Sequence, residues 1–375
     1  PEANYNGAVS FTYDVQDPQG AKVAASASMT LAAVADTPTV SVDVTDTADN
    51  VLNASESGTA AISGTLDPGV ASTLERIEIT DGTTTVTVDK ESISVAPDGT
   101  YHTTADLSSI KDGTLTVTAH ATSHDGTTAT STDSIIKDST TTVTANLAAT
   151  SDTGSSQTDH FTKDNIPSIE GQAEAGAQVV ITDAKGKVVG QGQADATGHY
   201  AIQTAQLPDD HSMGTTLTIT ATDAAGNSAS VDQTLYITTH LPPLKVDSLI
   251  DDTGVKGDFV TQFHGVGSNL SILGKDPTAH IEYSLDGGQS WSTKFTPQEG
   301  VNDFQIRQVD LAGNVLAGTP VHFTIDNTVA APNVDLANDT GSSSSDLITQ
   351  DGTLHVTGTE TGATIEYSVD GGQHW

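Results

Sequence analysis

Acidic side chains at repeated positions are the groups in this chain that could do chemistry. The triplet Asp-Thr-Gly occurs three times, and a second aspartate follows each copy after a short interval. The pairs are Asp152 with Asp159, Asp252 with Asp258, and Asp339 with Asp346. Carboxylates held this close repel one another unless a cation neutralises them. The pattern therefore predicts loops that bind cations.

A second set of oxygen-bearing side chains lies in the turn Asp-x-Ala-Gly-Asn. One copy contains Asp223 and Asn227, and the next contains Asp310 and Asn314. Further acids stand at the ends of repeats or in a divergent early copy that reads Asp-Thr-Ala; they are Asp138, Asp326, Asp46 and Asp49. Together with the three pairs, these residues make up the predicted set of metal ligands.

The type of donor atom selects the metal. Hard oxygen ligands favour Ca²⁺ over zinc or copper, and calcium accepts irregular, carbonyl-rich loops better than magnesium does. The chain has 12 histidines, which show no repeated spacing, and no cysteine. Turn chemistry alone is the alternative interpretation of any single aspartate, because Asp and Gly are good turn formers. The matched spacing of the pairs within one sequence favours calcium.

The overall charge restricts the partners. The 49 Asp and Glu outnumber the 13 Lys and Arg, which gives a formal net charge of -36. Such a surface repels nucleic acid and anionic lipid, and no apolar run is long enough to span a bilayer. Without cysteine the chain lacks disulfides, so bound metal is the expected stabilising device. Solubility explains the total charge but not its clustering in loops.

Strands and turns must position these loops. Short Thr/Val-rich runs, broken by Gly and Asp, recur along the chain, and this pattern is typical of β-strands. Only 35% of the residues are hydrophobic and 4% aromatic, which suits thin cores between small sheets. The triplets recur at intervals of about 100 residues, the size of an Ig domain. We therefore predict an all-β fold of tandem Ig-like β-sandwich domains in an elongated, monomeric rod.

Proline-bearing linkers mark most of the expected domain boundaries. They lie at 35–38, 239–243 and 326–332, and a boundary without proline lies at 137–140. The predicted segments are a partial repeat (1–36), a divergent Ig-like domain (37–138), two Ig-like domains (139–239 and 240–326) and a truncated one (327–375). Short linkers without Gly/Ser tracts should hold neighbouring domains semi-rigidly. Both chain ends fall inside repeat patterns, as we expect of a segment of a longer protein.

Successive loops of an Ig-like sandwich alternate between its two ends. The Asp-Thr-Gly loop then faces the following domain, and the Asp-x-Ala-Gly-Asn turn faces the preceding one. Across one boundary we expect Asp152 and Asp159 to meet Asp310 and Asn314. Across the boundary before it, the residues expected to meet are Asp46, Asp49, Glu56, Asp223 and Asn227.

Two copies of the pattern S-x-D-x-G-x-x-W raise an enzyme hypothesis. They occupy 284–291 and 368–375, and this Asp-box is familiar from sialidase propellers. Sialidases hold the substrate carboxylate with an arginine cluster, whereas Arg76 and Arg307 are the only arginines of this sequence. No nucleophile elbow, P-loop or HExxH pattern occurs elsewhere, so we expect no enzymatic activity. The alternative is a carbohydrate-binding module in which Trp291 or Trp375 contacts glycan.

Several stretches resemble one family. They are the acidic loops, Gly171-Gln-Ala-Glu-Ala-Gly-Ala-Gln-Val-Val, Asp195-Ala-Thr-Gly-His-Tyr and Thr222-Asp-Ala-Ala-Gly-Asn. They look like the tandem bacterial Ig-like domains of giant type I-secreted adhesins, the SiiE-like and biofilm-associated group. The stretch from Asn4 to Val15 resembles the last part of a cadherin-like repeat of the same proteins. The resemblance covers most of the chain and is strongest from about residue 139 onward.

The resemblance implies a function for the chain. Such proteins are exported by a type I system, stay on the bacterial surface or are shed, and bind calcium at domain junctions that stiffen the rod. In that family an Asp ends each unit, as Asp138 and Asp326 do, but Thr239-His240 stands there in one unit. We expect a calcium-stiffened extracellular stalk segment for adhesion or biofilm formation, with host-cell or matrix receptors bound by other parts of the parent protein.

Overall fold

The computed structural model describes residues 7–32, 37–45, 49–68, 72–211, 213–262 and 269–375. The chain folds into two compact units, the first comprising 1–148, 166–207 and 215–235, the second 149–165, 208–214 and 236–375. Among the described residues, secondary structure is β-strand apart from one short helix, α1 (Ala54–Ser57), and a 3₁₀ turn (Lys90–Ser92). The prediction of an all-β fold is confirmed.

The first unit opens with an antiparallel hairpin. Its strands are β1 (Gly7–Gln16) and β2 (Lys22–Leu31). Asp17 closes the turn, because its carboxylate accepts hydrogen bonds from the backbone amides of Gln19 and Ala21 at 2.9 and 2.8 Å. Asn4, where the resemblance to a cadherin-like repeat begins, lies outside the described residues.

A sandwich of two sheets follows in the first unit. Its strands are β3 (Val40–Thr45), β4 (Val51–Leu52), β5 (Ala60–Leu66), β6 (Ser72–Thr80), β7 (Thr85–Asp89), β8 (Ser94–Val95), β9 (Thr100–Ala105), β10 (Gly113–Ser123) and β11 (Thr128–Lys137). The sheet orders are β3-β5-β9-β8 and β4-β11-β10-β6-β7. Alternate side chains of both sheets, among them Ile62, Ile77 and Leu115, bury themselves in one apolar core, as expected of packed pleated sheets.

The next eight strands repeat this arrangement. They are β12 (Asn146–Leu147), β13 (Phe161–Thr162), β14 (Ser168–Gln172), β15 (Gln178–Asp183), β16 (Val188–Gln193), β17 (His199–Gln203), β18 (Thr215–Thr222) and β19 (Ser228–Ile237). In the first unit, β12, β14 and β17 form one sheet, and β19, β18, β15 and β16 are neighbours in another. Ile169, Ile181 and Ile219 are fully buried there.

The second unit contains β13 and the end of β19. Phe161 and Thr162 pair in parallel with Tyr236 and Ile237. The unit continues with β20 (Lys245–Leu249), β21 (Val260–Thr261), β22 (Leu270–Leu273), β23 (His280–Ser284), β24 (Gly300–Val309), β25 (Val315–Ala317), β26 (Val321–Ile325), β27 (Asn333–Leu336) and β28 (Leu354–Thr357).

Aromatic rings fill the core between β20 and β26. The sheet orders are β20-β22 and β21-β26-β24-β23, with β25 paired to β24, and β27 pairs with β28. The ring of Phe304 lies 4.3 Å from Phe295 and 5.9 Å from Phe323, measured between centroids. Buried aromatic rings supply much apolar area per residue, which suits a chain so poor in hydrophobic residues.

Candidate metal centres

The first aspartate of each Asp-Thr-Gly loop is held by a loop amide, which stands 8 residues further on in the first and third copies and 5 residues further on in the middle copy. One carboxylate oxygen, Oδ2, accepts a hydrogen bond from a loop amide: His160 for Asp152 at 3.2 Å, Gly257 for Asp252 at 2.6 Å and Leu347 for Asp339 at 3.1 Å. The other oxygen, Oδ1, is buried in all three aspartates and has no hydrogen-bond partner. Burying a carboxylate oxygen without a partner is costly, so a feature that recurs at three equivalent positions calls for an explanation.

The second aspartate of each pair accepts a hydrogen bond from the amide two residues further on, and in the first two copies that amide begins a short strand. Asp159 accepts from the amide of Phe161 at 3.1 Å, Asp258 from Val260 at 2.9 Å and Asp346 from Ile348 at 3.1 Å. In the first copy, the two aspartates of the pair lie close enough for the charge of one to act on the other. Burial raises the pKa of Asp152, and the neighbouring charge of Asp159 raises it further.

Threonine hydroxyls explain why the sequence folds this way locally. Thr162 donates its hydroxyl to the carbonyl of Ser151 at 2.5 Å, and Thr349 donates to Asn338 at 2.7 Å. The middle copy makes the same bond from Thr261 to Asp251. Because these bonds cross the loop, they fix the carboxylates at its mouth.

The Asp-x-Ala-Gly-Asn turn is a closed hydrogen-bonded unit. Asn314 donates from its backbone to Oδ1 of Asp310 at 2.7 Å and from Nδ2 to Oδ2 at 2.8 Å. The earlier copy repeats both bonds, from Asn227 to Asp223, at 2.8 and 2.9 Å. Asn227 and Asn314 therefore orient a carboxylate.

In the second unit, the Asp-Thr-Gly loop contacts the turn that was expected opposite it. Thr153 donates its hydroxyl to the carbonyl of Ala312 at 2.6 Å, and Lys163 Nζ reaches the carbonyl of Gly313 at 3.2 Å. The contact runs through the middle of the triplet, which the sequence analysis did not single out. In the described part of the chain, Asp152, Asp159 and Asp310 do not share one group of ligand atoms within 4.8 Å.

Asp258 and Asp326 line one depression in the second unit. Its volume is about 300 Å³, and Thr253, Thr261 and Gln262 also line it. Asp326 accepts a long hydrogen bond, 3.4 Å, from the amide of Thr328. The predicted end-of-repeat aspartate thus lies beside the second aspartate of the loop at 252–258.

The parallel strand pair of each repeat identifies equivalent end positions. The residue after the last paired residue donates its amide in the same way each time: Asp138 to Leu52 at 3.0 Å, Thr238 to Thr162 at 2.9 Å and Asp326 to Thr261 at 3.0 Å. Thr238 therefore occupies the place of the missing aspartate, so the sequence assignment to Thr239-His240 was wrong by one residue. Register in a strand pair comes from hydrogen bonding, which the sequence does not show.

Three carboxylates gather in the first unit. Ligand atoms of Asp138, Glu174 and Asp223 lie within 4.8 Å of one another. Burial raises the pKa of Asp138 and of Glu174, and the charges of the neighbouring carboxylates raise both further. Sequence analysis predicted Asp138 and Asp223 but missed Glu174. Its only signal was its place in the stretch after Gly171 that resembles the family, in the turn before β15.

Asn227 links this group to the helix α1. Its Nδ2 donates to the carbonyl of Asp138 at 2.8 Å, and its Oδ1 accepts from the amide of Ala54 at 3.0 Å. Asn53 returns a bond from Nδ2 to the carbonyl of Ala225 at 3.1 Å. With its side-chain oxygen engaged, Asn227 acts as a positioning residue of the group.

Two of the early acids expected beside Asp223, Asp49 and Glu56, have other roles in the structure. Asp46 lies outside the described residues. Asp49 accepts from the amide of Val51 at 3.1 Å, and Glu56 accepts from the amide of Asn53 at 3.0 Å as part of a capping box. Glu56 thus stabilises the start of α1, and the third member of the acidic group is Glu174 instead.

The first Asp-box forms a tight turn. Ser284 donates to Asp286 at 2.8 Å, and the indole of Trp291 donates to the carbonyl of Gly288 at 3.2 Å. The guanidinium carbon of Arg307 lies 4.3 Å from the centre of the Trp291 ring. This cation–π contact covers one face of the ring that a sugar would need.

Comparisons with known proteins support an Ig-like fold. A family profile described as "Bacterial Ig domain" matches residues 156–237. No curated protein matches the chain significantly. The chain is therefore similar to bacterial Ig domains over part of its length.

A comparison with solved structures also gave matches. One is a tetra-tandem repeat in the extending region of a large adhesion protein, with 20% identity, 86% of this chain and 82% of that chain covered, and a TM-score of 0.29. A 1.5-MDa bacterial ice-binding adhesin is 19% identical, with 77% of this chain and 98% of that chain covered and a TM-score of 0.35. A Ca²⁺-stabilised adhesin of an Antarctic bacterium is 20% identical, with 85% of this chain and 82% of that chain covered and a TM-score of 0.34.

A search of the described residues for membrane-crossing helices found none of sufficient length and apolarity.

Proposed function

We propose that this chain is a calcium-stabilised stalk segment of a bacterial surface adhesin. The observation that carries the proposal is the buried, unpartnered Oδ1 atom at Asp152, Asp252 and Asp339. Three equivalent oxygens in one chain indicate a repeated binding site better than they indicate three independent defects. Turn formation alone accounts for Oδ2 of each aspartate and leaves Oδ1 unexplained.

The donor atoms suit Ca²⁺. Each loop offers carboxylate oxygens together with backbone carbonyls, and calcium takes six to eight such oxygens in flexible geometry. At each loop the ligands would come from the paired aspartates, with Asp326 adjoining the pair at Asp252 and Asp258. Bound calcium would supply the positive charge that these carboxylates lack.

A further calcium site is proposed at Asp138, Glu174 and Asp223. Three carboxylates within 4.8 Å repel one another, and their raised pKa values record that repulsion together with burial. A bound dication would remove this repulsion. It would thereby hold the end of β11 against the turn after β18. The turn that contains Asp310 has its Asn314 bonded to the carbonyl of Thr238 instead of to an aspartate, so the equivalent site there would lack one carboxylate.

The proposed organisation follows the segments 1–36, 37–138, 139–239, 240–326 and 327–375. Calcium at the ends of these segments would restrict how neighbours move, which is the property a stalk needs. The proposal includes an extracellular location, monomeric assembly and a structural, non-enzymatic role. Contact with a host-cell or matrix receptor is assigned to other parts of the parent protein.

Calorimetric titration of the chelator-treated chain with CaCl₂ tests the proposal. We expect binding with dissociation constants of about 10⁻⁴ to 10⁻³ M, the range of extracellular calcium modules. Glu174→Gln should weaken one class of sites at least about tenfold, because a charged ligand becomes neutral. Glu91→Gln, an exposed glutamate in the same unit, is the matched control. If the native chain gave no heat of binding on addition of calcium, the proposal would be contradicted.

A further inference from the structure

Two histidines and an aspartate form a cluster that the calcium proposal does not use. The aspartate, Asp209, lies in the segment between β17 and β18; His211 follows it, and His240 lies just after β19. Ligand atoms of the three residues all lie within 4.8 Å of one another. All three belong to the second unit.

The carboxylate of Asp209 is already positioned without help from the imidazole rings of the two histidines. Its Oδ2 accepts from the amide of Thr239 at 2.8 Å and from the Thr239 hydroxyl at 2.5 Å. Its Oδ1 accepts from the amide of His211 at 2.9 Å. Asp210 fastens the segment further, since its amide and carboxylate bond to Ile237 at 3.0 Å each.

The first unit contains a related set of hydrogen bonds, a tie between an aspartate and the residues after the last strand, that includes no histidine. There Asp112 accepts from the amide and hydroxyl of Ser139 at 3.0 and 2.7 Å. Thr140 donates to the same carboxylate at 3.2 Å, and Lys137 pairs with it at 2.8 Å. Since the tie forms without imidazole groups, the two histidines around Asp209 are additional to it.

The imidazole groups of His211 and His240 both lie against the carboxylate of Asp209. Nδ1 of His211 lies 3.2 Å from Oδ1 of Asp209, and Nδ1 of His240 lies 2.9 Å from Oδ2. The two rings meet edge to face with centroids 5.0 Å apart. Two imidazole nitrogens and a carboxylate oxygen in this arrangement offer three donor atoms to one divalent ion.

We propose that Asp209, His211 and His240 bind a borderline divalent transition metal such as Zn²⁺. With metal–ligand bonds of about 2.0–2.1 Å, neighbouring ligands of a tetrahedral ion lie about 3.3 Å apart, close to the two nitrogen–oxygen separations. Nitrogen donors select zinc, copper or nickel over calcium. The histidine side chains are 59% and 65% exposed, so the metal can enter and water completes its coordination.

The site would join two chain segments at a defined place. His240 directly follows Thr239, two residues after Thr238, which replaces the acidic end residue of the other repeats. Metal bound there would tie the start of the 239–243 linker to the segment before β18. Zinc bound there would take over part of the role that we propose for calcium at Asp138.

Zinc titration of the full chain in excess calcium tests the inference. Calcium occupies the oxygen sites, and the variants His211→Gln and His240→Gln each remove one nitrogen ligand. Both are expected to lose one bound zinc per chain, or to bind it at least about tenfold more weakly. His322→Gln is the matched control, because His322 is an exposed histidine paired with Asp303.

A second measurement on the native chain keeps the test independent of the variants. In histidine-selective NMR spectra, the ring nitrogens of His211 and His240 should shift together during addition of the first equivalent of zinc. Unchanged zinc uptake in either variant, or shifts spread over other histidines, would overturn the site. Calcium titrations of the same variants should match the native chain, so failure of the zinc site is separable from failure of the calcium proposal.

Discussion

Asp152 shows most directly what a single residue contributes. We expect Asp152→Asn to remove the calcium-dependent gain in stability at its loop, about 2.7 kcal/mol when free calcium is a hundred times the dissociation constant. Without calcium the variant should be at least as stable as the native chain, because its neighbour Asp159 no longer faces a second charge. Denaturant unfolding with calcium and with chelator measures both effects. Asp183→Asn, in an exposed turn, is the control, and equal calcium responses in the two variants would refute the assignment.

The raised pKa values of Asp138 and Glu174 give a pH dependence with a defined sign. Such a carboxyl binds its proton more tightly in the folded chain, so its stabilising contribution is present at low pH and lost as pH rises through the folded pKa. Protons and calcium compete for the same oxygens. Calcium affinity should therefore begin to fall on acidification at a higher pH than it would for ordinary carboxylates, which titrate near about pH 4.

Titrations at several pH values measure this competition. The variant Glu174→Gln removes one competing proton, so its residual calcium binding should depend less on pH than that of the native chain. The same pH dependence in both proteins would show that Glu174 is not a ligand of the site.

The acidic loops were predictable because their bonds are local. Asp152 and Asp159 are both oriented by amides within the loop, and Thr162 closes it with a bond to Ser151. Short-range spacing in the sequence encodes such contacts directly. Glu174 was missed for the opposite reason, since it meets Asp138 and Asp223 through strand packing and has no fixed spacing from either.

In the second unit, the Asp-Thr-Gly loop packs closely against the Asp-x-Ala-Gly-Asn turn. The glycine of the loop makes this close approach possible. Gly154 has φ +97°, and a Cβ there would lie 2.0 Å from the carbonyl oxygen of Leu311. Gly154→Ala should cost the left-handed backbone penalty of about 1–2 kcal/mol and should also push the turn away.

Gly254 offers the matched control for this element. It is the glycine of the next triplet, has φ +71°, and a Cβ there would meet nothing within 4 Å. Gly254→Ala should therefore cost only the backbone penalty. Urea unfolding of both variants separates the two terms, and equal losses of stability would mean that the contact with Leu311 contributes nothing.

The pairing register of the strands explains why the sequence analysis assigned the missing aspartate to Thr239-His240. Thr238 follows the parallel pair of β13 and β19 as Asp138 follows that of β4 and β11, but the two stretches align in sequence only approximately. The β-strands themselves were predicted from alternating Thr and Val. The pairing partner of each strand was not, because hydrogen bonds between strands connect residues far apart in the chain.

At the scale of the whole molecule, calcium should change the distribution of lengths in solution. We expect small-angle scattering to give a larger maximum dimension with calcium than with chelator, while circular dichroism stays the same in both. Glu174→Gln should shorten the calcium form partway, and Glu91→Gln should not. An unchanged maximum dimension on calcium removal would sink the stiffening proposal.

The parallel strand pairs have a mechanical consequence. β4 with β11, β13 with β19, and β21 with β26 each join an early strand of a repeat to its last strand side by side. When the two chain ends of such a repeat are pulled apart, these strands slide along each other, so their hydrogen bonds bear the load together and must rupture at once. Each repeat would then resist extension through its shear geometry, a resistance that single-molecule force spectroscopy can measure repeat by repeat.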